Sequence, residues 1–299
     1  MVVTVVAALA AGACFAAAGV LQQRVASARP ADESLSFRLI ADLVRRPRWL
    51  AGIGLAVVSY ALQSLALANG ALAVVQPLVV TELIFAIPLS ARLRGRHIGA
   101  REWVGAIAVA GGLAAAITAA DPHGGTALVS VDRWLVVLPV AAALGLALAL
   151  AGRRIPGRMR AAVFGGGAAV IMGTQSALLQ ATATLFEKGA AAALTSWQPY
   201  VMAVFSMGGL LLVQSAFQAG PLAVSLPVID VVEPTTAVVI GITAFGERVH
   251  LSTGSLALTA AGIVSLVGGI MLLDTSSVVR DLYQAERRDA SMAAARAEG

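Results

Sequence analysis

Nine long apolar runs, separated by short loops, constrain this chain more than any other feature. Each run has 18 or more residues, which is enough for an α-helix to cross the ~30 Å hydrocarbon core of a bilayer. A bilayer core offers no water to backbone N–H and C=O groups, so a helix is the structure that such runs adopt there. The sequence predicts helices over residues 2–23, 49–69, 72–91, 102–119, 134–151, 161–186, 198–218, 221–245 and 254–273.

The composition excludes an ordinary water-soluble domain. Only 12% of the 299 residues are charged and 59% are hydrophobic, whereas soluble domains carry about 25% charged residues. We therefore expect an all-α polytopic protein of the plasma (inner) membrane, in contact with the lipid bilayer. Four tryptophans, at the starts of predicted spans, are expected among the lipid head groups. They are Trp49, Trp103, Trp134 and Trp197.

The basic residues predict the orientation of the chain. Eighteen of the 21 Lys and Arg residues fall in alternate loops and in the tail, at 24–48, 92–101, 152–160 and 275–299. Loops rich in Lys and Arg stay in the cytoplasm, so we expect the amino terminus outside and the carboxyl terminus inside. Placement of these residues beside apolar runs also argues against binding to nucleic acid, which the net charge of +5 would otherwise suggest.

The two halves of the sequence match each other at an offset of 150 to 151 residues. Residues 70–77, GALAVVQP, align with residues 220–227, GPLAVSLP, and Glu82 aligns with Glu233. The predicted span at 72–91 runs inward and the span at 221–245 runs outward, so the repeats are inverted, as in many secondary transporters. We predict a first transmembrane repeat at 1–120, an inverted repeat at 121–274 and a cytoplasmic tail at 275–299, with four and five spans in the two repeats.

Three acidic residues fall near the middle of predicted spans. Glu82 lies in the third span, and Asp230 and Glu233 lie one turn apart in the eighth. A carboxylate at the centre of a membrane helix costs about 3 kcal/mol, and no Lys or Arg lies at a matching depth. We interpret the three as sites for a proton or a solute, with Glu82 and Asp230 as candidate ligands of a metal cation. A protonated carboxyl that only stabilises helix packing is the alternative.

Amide side chains and prolines within the spans are the remaining site candidates. Amides at helical spacing, such as Gln180 with Ser176, can line a hydrated pathway or join one helix to another. A proline frees a backbone carbonyl four residues earlier. The solute-binding candidates are Gln63, Gln175, Gln180 and Gln214, and the predicted helix breaks are at Pro77, Pro227 and Pro234.

Nothing in the sequence indicates an enzyme. The three His residues fall in loops without an adjacent nucleophile, and the Gly-rich segments lack the Lys of a phosphate-binding loop. Cys14 is the only cysteine, which excludes an intrachain disulfide and a cluster of thiolate ligands. We expect no catalytic residue and no cofactor.

Short motifs in the second half resemble the drug/metabolite transporter (DMT) superfamily and its EamA-like domain. They are GPLAV at 220–224, VEP at 232–234, GER at 246–248 and GIV at 262–264. The resemblance implies two inverted helical repeats and transport by alternating access. Nine spans, the long loop after the first, and residues 73–78, AVVQPL, are similar to the NIPA-like magnesium-transporter branch, which implies transport of a divalent cation.

Three functions stay open at this stage. The first is a secondary transporter that moves a small polar or cationic solute, coupled to protons. The second is a transporter of magnesium or another divalent cation, and the third is a membrane scaffold or lipid-head-group binder that transports nothing. Unpaired acids in the membrane would serve no purpose in a scaffold, which favours a transporter. A homodimer is compatible with the sequence, although nine spans can enclose a pathway within one chain.

Overall fold

Long helices account for most of the structure, a computed structural model that describes residues 2–30, 33–69, 75, 78–79, 81–93, 95, 97–120, 125–126, 128–249 and 252–276. In chain order the helices are α1 Val2–Ala26, α2 Phe37–Val44, α3 Pro47–Asn69, α4 Glu82–Arg92, α5 Ala100–Ala120, α6 Val131–Arg154, α7 Met159–Glu187, α8 Ala190–Leu194, α9 Gln198–Ala219, α10 Leu222–Ile240 and α11 Thr253–Asp274. A short π-helix, Gly241–Phe245, continues α10.

Eight helices within the described residues are long and apolar enough to cross a membrane. They match eight of the nine predicted spans, which confirms the prediction of a polytopic helical membrane protein. The exception is the predicted span 72–91, whose second part is α4 and whose first part is described only at Val75, Leu78 and Val79. Pro77, one of the predicted helix breaks, lies outside the described residues.

Hydrogen bonds at the two ends of α1 define the course of the chain between α3 and α5. At the start of α1, the Thr4 hydroxyl donates to the carbonyl of Asn69 at the end of α3 (2.8 Å). Near the other end, the Arg24 guanidinium donates to the carbonyl of Leu93, just after α4 (3.4 Å). The helix between Thr4 and Arg24 spans about 30 Å. Asn69 and Leu93 therefore lie at opposite ends of α1.

The helix α2 lies across the ends of α1, α3 and α9. The Ser36 hydroxyl oxygen caps it by accepting a hydrogen bond from the Arg38 N–H (3.1 Å). Leu39 and Leu43 are buried in one apolar cluster with Trp49, whereas Phe37 on the opposite side keeps 70% of its surface accessible. One face of α2 therefore packs on the helix bundle and the other is available to the membrane surface.

The helices α5 and α11 approach each other at two glycines. A Cβ on Gly112 or on Gly262 would lie 2.5 Å from the carbonyl oxygen of the other residue. In lipid, burial of apolar side chains does not drive one helix onto another, so close backbone contact of this kind is what stabilises a helix pair. The Ser276 hydroxyl, after α11, also donates to Glu102, which accepts the Gly99 N–H (2.7 Å) at the start of α5.

Two of the four tryptophans differ from the sequence-based expectation. All four lie at or near the start of a helix, as predicted, but Trp49 and Trp134 are only 3% and 1% exposed. The Trp134 ring packs edge-to-face against Trp197 and Phe245, with centroids 5.7 Å apart in both pairs. Placement of these two indoles among lipid head groups is therefore wrong, because neighbouring helices cover them. Trp103 is 39% exposed.

We expect Gly112→Ala to destabilise the protein by about 1–3 kcal/mol, because the added methyl group would force α5 away from α11. Gly111 provides a matched control on the same helix, since a Cβ there would meet nothing within 4 Å. Gly111→Ala should leave stability unchanged or raise it by up to about 1 kcal/mol, as Ala favours helices over Gly. Thermal unfolding in detergent measures both effects, and equal effects at the two positions would contradict the packing described here.

Candidate functional site

Two prolines and two acids share the middle of α10. Pro227 and Pro234 lie inside this helix, which continues from Leu222 to Ile240. The predicted helix breaks at Pro227 and Pro234 are therefore wrong. Each proline removes one N–H donor, but α10 continues through both as a single helix. Residue 234 has no N–H to donate to the carbonyl of Asp230, four residues earlier. A backbone oxygen is thereby freed beside the acidic side chain.

Three carboxyl groups, from both halves of the chain, come together. Glu82 is the first residue of α4, and its carboxyl group lies close enough to that of Asp230 on α10 for the two to interact. Glu233, one turn further along α10, acts electrostatically on both. The Ser176 hydroxyl on α7 lies near the Glu233 carboxyl group. The three acids singled out in the sequence therefore form one cluster.

Two glycines bring neighbouring helices against the backbone of the acidic residues. A Cβ on Gly12 of α1 would lie 3.3 Å from the amide nitrogen of Glu82. A Cβ on Gly173 of α7 would lie 2.5 Å from the carbonyl oxygen of Glu233. Any larger residue at Gly173 would push α10 away, so this glycine fixes the distance between Ser176 and Glu233.

Tyr60 on α3 is a member of the cluster that was absent from the sequence-based candidates. Its hydroxyl lies within the electrostatic influence of Glu233 and Glu82. Its ring packs edge-to-face on Phe15 of α1, with centroids 5.0 Å apart. Tyrosine in membrane helices is usual at the interfaces with water, so a tyrosine in the middle of a span is the signal that could have identified it.

The cluster lies at mid-depth and is partly covered by the surrounding helices. Tyr60, Ser176 and the two acids of α10 are each near the middle of their helices, and Glu82 lies beside Gly12 near the middle of α1. The three acids are half-buried and Tyr60 keeps 57% of its surface accessible. These side chains are therefore only partly covered by the neighbouring helices, and their uncovered surface is available to a ligand or to lipid.

A hydrogen bond between two carboxyl groups requires a proton. An ionised carboxylate only accepts hydrogen bonds, so a pair of carboxylates has no donor. With both groups ionised, Oδ2 of Asp230 is buried and has no hydrogen-bond partner in the described part of the chain. One proton held between Glu82 and Asp230 satisfies this oxygen and removes the repulsion between two negative charges in a medium of low dielectric constant.

Positive charge does not neutralise the cluster within the described residues. None of its three carboxyl groups forms an ion pair there. The same residues contain no group of three or more His, Cys, Asp and Glu side chains placed to hold a metal ion. A divalent cation at Glu82 and Asp230 would therefore be bound by two carboxylates and complete its shell with backbone carbonyls or water.

Gln214 is placed differently from the sequence-based expectation of a solute ligand. It is fully buried on α9, where its Oε1 accepts the indole N–H of Trp49 (3.0 Å) and its Nε2 donates to Oε1 of Gln22 (2.7 Å). This network, Trp49–Gln214–Gln22, joins α1, α3 and α9. Both ends of the amide are occupied by protein, so Gln214 has a structural role in this conformation.

The other predicted amides lie near the cluster along the chain. Gln63 on α3 is one turn from Tyr60, and Gln175 on α7 is next to Ser176; both are half-buried. Gln180 is one turn beyond Ser176, on the same face of α7, and is exposed. None of the three is hydrogen-bonded through its side chain to the acids in the described residues, so their part in binding a solute stays a prediction.

Sequence comparison gives this chain a full-length relative. It is 30% identical over 275 residues to an uncharacterized protein of Corynebacterium glutamicum, and the alignment covers 91% of this chain and 94% of that protein. The chain belongs to the family of this corynebacterial protein. No protein-family model matches the chain, and no solved structure matches it significantly.

Replacing Gln214 tests its structural role. We expect Gln214→Leu to destabilise the protein by about 1–3 kcal/mol, because the buried Trp49 N–H and Gln22 amide lose their partners. The control is Gln180→Leu, which changes an exposed amide in the same way and should leave thermal unfolding unchanged. A Gln214→Leu protein of normal stability would contradict the structural role and return this residue to the candidates for solute binding.

Proposed function

We propose that this protein is a secondary transporter that moves a small cationic or polar solute by alternating access, in exchange for protons. The observation that carries the proposal is the pairing of the Glu82 and Asp230 carboxyl groups at mid-depth, where Oδ2 of Asp230 is buried without a hydrogen-bond partner in the described residues. A carboxyl pair that holds one proton can release it and bind a cation in its place, because both states reduce the repulsion between the two negative charges. Glu233 adds negative charge beside the pair and favours a cationic solute.

The packing of the helices supports two inverted repeats. In the first half, α1 packs on α3 and α4, and in the second half, α7 packs on α9 and α10. The helices α3, α4 and α5 correspond to α9, α10 and α11 at the offset of the sequence match. We propose that residues 1–120 and 121–274 form two such repeats, which can exchange conformations around a shared site.

The site lies at the junction of these proposed repeats. Tyr60 and Glu82 belong to the first, and Ser176, Asp230 and Glu233 belong to the second. Equivalent helices, α4 and α10, contact each other beside the acids. This arrangement is the one that the resemblance to the DMT superfamily implies, so we propose that this chain and its corynebacterial relative are members of that superfamily.

Magnesium is the second candidate solute. Mg²⁺ binds one or two carboxylates and keeps several waters, and Glu82 and Asp230 could supply those carboxylates. The proton is favoured because a divalent cation between the two groups would require both to be ionised, and within the described residues no group of three or more acidic, His or Cys side chains is placed to hold a metal ion.

Single cysteines test the proposed orientation and the inversion of the repeats. In a Cys14→Ala background, we introduce Ala100→Cys at the start of α5 or Ser130→Cys before α6; both positions are exposed. The basic loops predict that a membrane-impermeant maleimide labels Ser130→Cys in intact cells and labels Ala100→Cys only after the cells are opened. The opposite pattern would reverse the termini, and labelling of both in intact cells would contradict the predicted number of crossings.

Flux into proteoliposomes tests the function. Protein reconstituted with a pH-sensitive dye and a magnesium-sensitive dye is given Mg²⁺ or one of a panel of small organic cations. We expect proton movement when an organic cation is supplied, and its loss in Glu82→Gln and in Asp230→Asn, since an amide keeps the shape of the side chain but carries no exchangeable charge. Glu187→Gln, an exposed position at the end of α7, is the control and should transport normally.

Other outcomes identify the alternatives. If Mg²⁺ enters the proteoliposomes and either substitution abolishes that entry, the transported solute is a divalent cation instead of an organic one. Transport that is unchanged in both variants would overturn the role of the carboxyl pair. Absence of any flux, together with greater stability of Glu82→Gln and Asp230→Asn, would indicate a scaffold, because the buried acids would then only destabilise the protein.

A further inference from the structure

Three arginines surround a cavity at the end of the bundle that is predicted to be cytoplasmic. The cavity has a volume of about 350 Å³ and lies between the end of α1 and the start of α3. Its lining consists of Arg24, Val25, Ala28, Arg46, Pro47 and Arg48. We propose that this cavity binds the phosphate group of an anionic ligand, which is either the head group of an anionic lipid or a free phosphate.

Within the part of the chain that the structure describes, no acidic side chain pairs with the arginines around the cavity. Arginine is charged at any physiological pH, and none of the three forms an ion pair within the described residues. Arg24 donates to the carbonyl of Leu93 at 3.4 Å, which leaves its other N–H groups available. The neighbouring acid on α2, Asp42, is already paired with Arg29 at 2.8 Å, outside the cavity. An anion between the three guanidinium groups would satisfy them and relieve their mutual repulsion.

The start of α3 adds to the attraction for an anion. Pro47 is the first residue of this helix, and the first turn of a helix carries partial positive charge. Arg46 and Arg48 lie on either side of Pro47, so their charges and the helix dipole act on the same space. Arginine also binds phosphate oxygens with two parallel hydrogen bonds, which suits a phosphate better than a chloride ion.

Hydrogen bonds between neighbouring helices hold the walls of the cavity in place. Trp49, next to Arg48, is buried and donates its indole N–H to Gln214. Gln22, one turn before Val25 on α1, also contacts Gln214. The network Trp49–Gln214–Gln22 therefore fixes the start of α3 relative to the end of α1, so binding a ligand requires no rearrangement of these two helix ends.

The position of the cavity suits a ligand at the membrane surface. The amphipathic helix α2 directly precedes Arg46, and its Phe37 and Val44 are exposed beside buried Leu39 and Leu43. Such a helix lies at the level of the lipid head groups. Val25, Ala28 and Pro47 give the cavity an apolar part, which fits the carbon atoms attached to a phosphate ester.

Ligand-dependent thermal unfolding of the full-length protein in detergent tests the proposal. The probes are phosphatidylglycerol, phosphatidylcholine and inorganic phosphate, with sodium chloride at equal ionic strength as the reference. We expect phosphatidylglycerol or inorganic phosphate to raise the unfolding midpoint saturably. In Arg46→Gln/Arg48→Gln, the half-saturating concentration should rise about tenfold or more, since each lost charge-assisted hydrogen bond contributes on that scale.

The matched control is Arg38→Gln/Arg45→Gln, which removes the same charge from the same segment at two exposed positions that do not line the cavity. It should change the half-saturating concentration by less than about twofold, because general attraction falls off with distance and salt. If the Arg46→Gln/Arg48→Gln protein does not fold, Arg24→Gln is tested in its place. A shift with phosphatidylglycerol alone identifies a lipid, and a shift with inorganic phosphate identifies a free anion. Equal losses in the two double variants, or no saturable shift with either probe, would overturn the proposal.

Discussion

Every polar group within the bilayer must find its partner inside the protein, and the rest of this structure depends on how that requirement is met. Hydroxyl groups meet it locally: those of Ser59, Thr174 and Thr236 each donate to the carbonyl four residues earlier on their own helix, at 2.8 Å. An amide needs a second helix, as Gln214 does. An ionised carboxylate is harder to place because it has nothing to donate. Glu82 and Asp230 can hydrogen-bond to each other only when a proton lies between them. The need to satisfy these two buried groups therefore places a proton-binding pair at mid-depth.

The two carboxyl groups lie in different halves of the chain, so protonation of the pair affects how those halves interact. Glu82 lies on α4 and Asp230 on α10, in different halves of the chain. A shared proton attracts the two helices to each other, whereas two ionised carboxylates repel in a low dielectric until a cation replaces the proton. Under the proposed function, gain or loss of one proton therefore changes the force between the proposed repeats. A carboxyl pair within one half could bind the same ions without this consequence.

The sequence predicts what depends on composition and misses what depends on neighbours. Apolar length predicts eight of the membrane helices, and the internal match alone brings Glu82 and Glu233 into correspondence. Helical spacing shows which residues share a face of a helix but not which other helix that face contacts. The sequence therefore predicted Gln214 as a solute ligand, whereas its side chain is hydrogen-bonded between Trp49 and Gln22. Tyr60 was overlooked for the same reason. Prolines free carbonyls by rule, yet neighbouring helices keep α10 continuous through Pro227 and Pro234.

Within the described residues, most hydrogen bonds that join the two halves lie at the end predicted to be cytoplasmic. Gln214 binds Trp49 and Gln22 there, and the Ser215 hydroxyl accepts the N–H of Leu35 (3.1 Å). At the opposite end, Thr4 bonds to Asn69 and Arg133 to Ala244, each within one half. A buried hydrogen bond contributes only about 0.5–1.5 kcal/mol net, so a few of them can be exchanged between two conformations of similar free energy. Under the proposed function, the structure therefore corresponds to a conformation closed towards the cytoplasm, and the opposite conformation requires the network around Gln214 to separate.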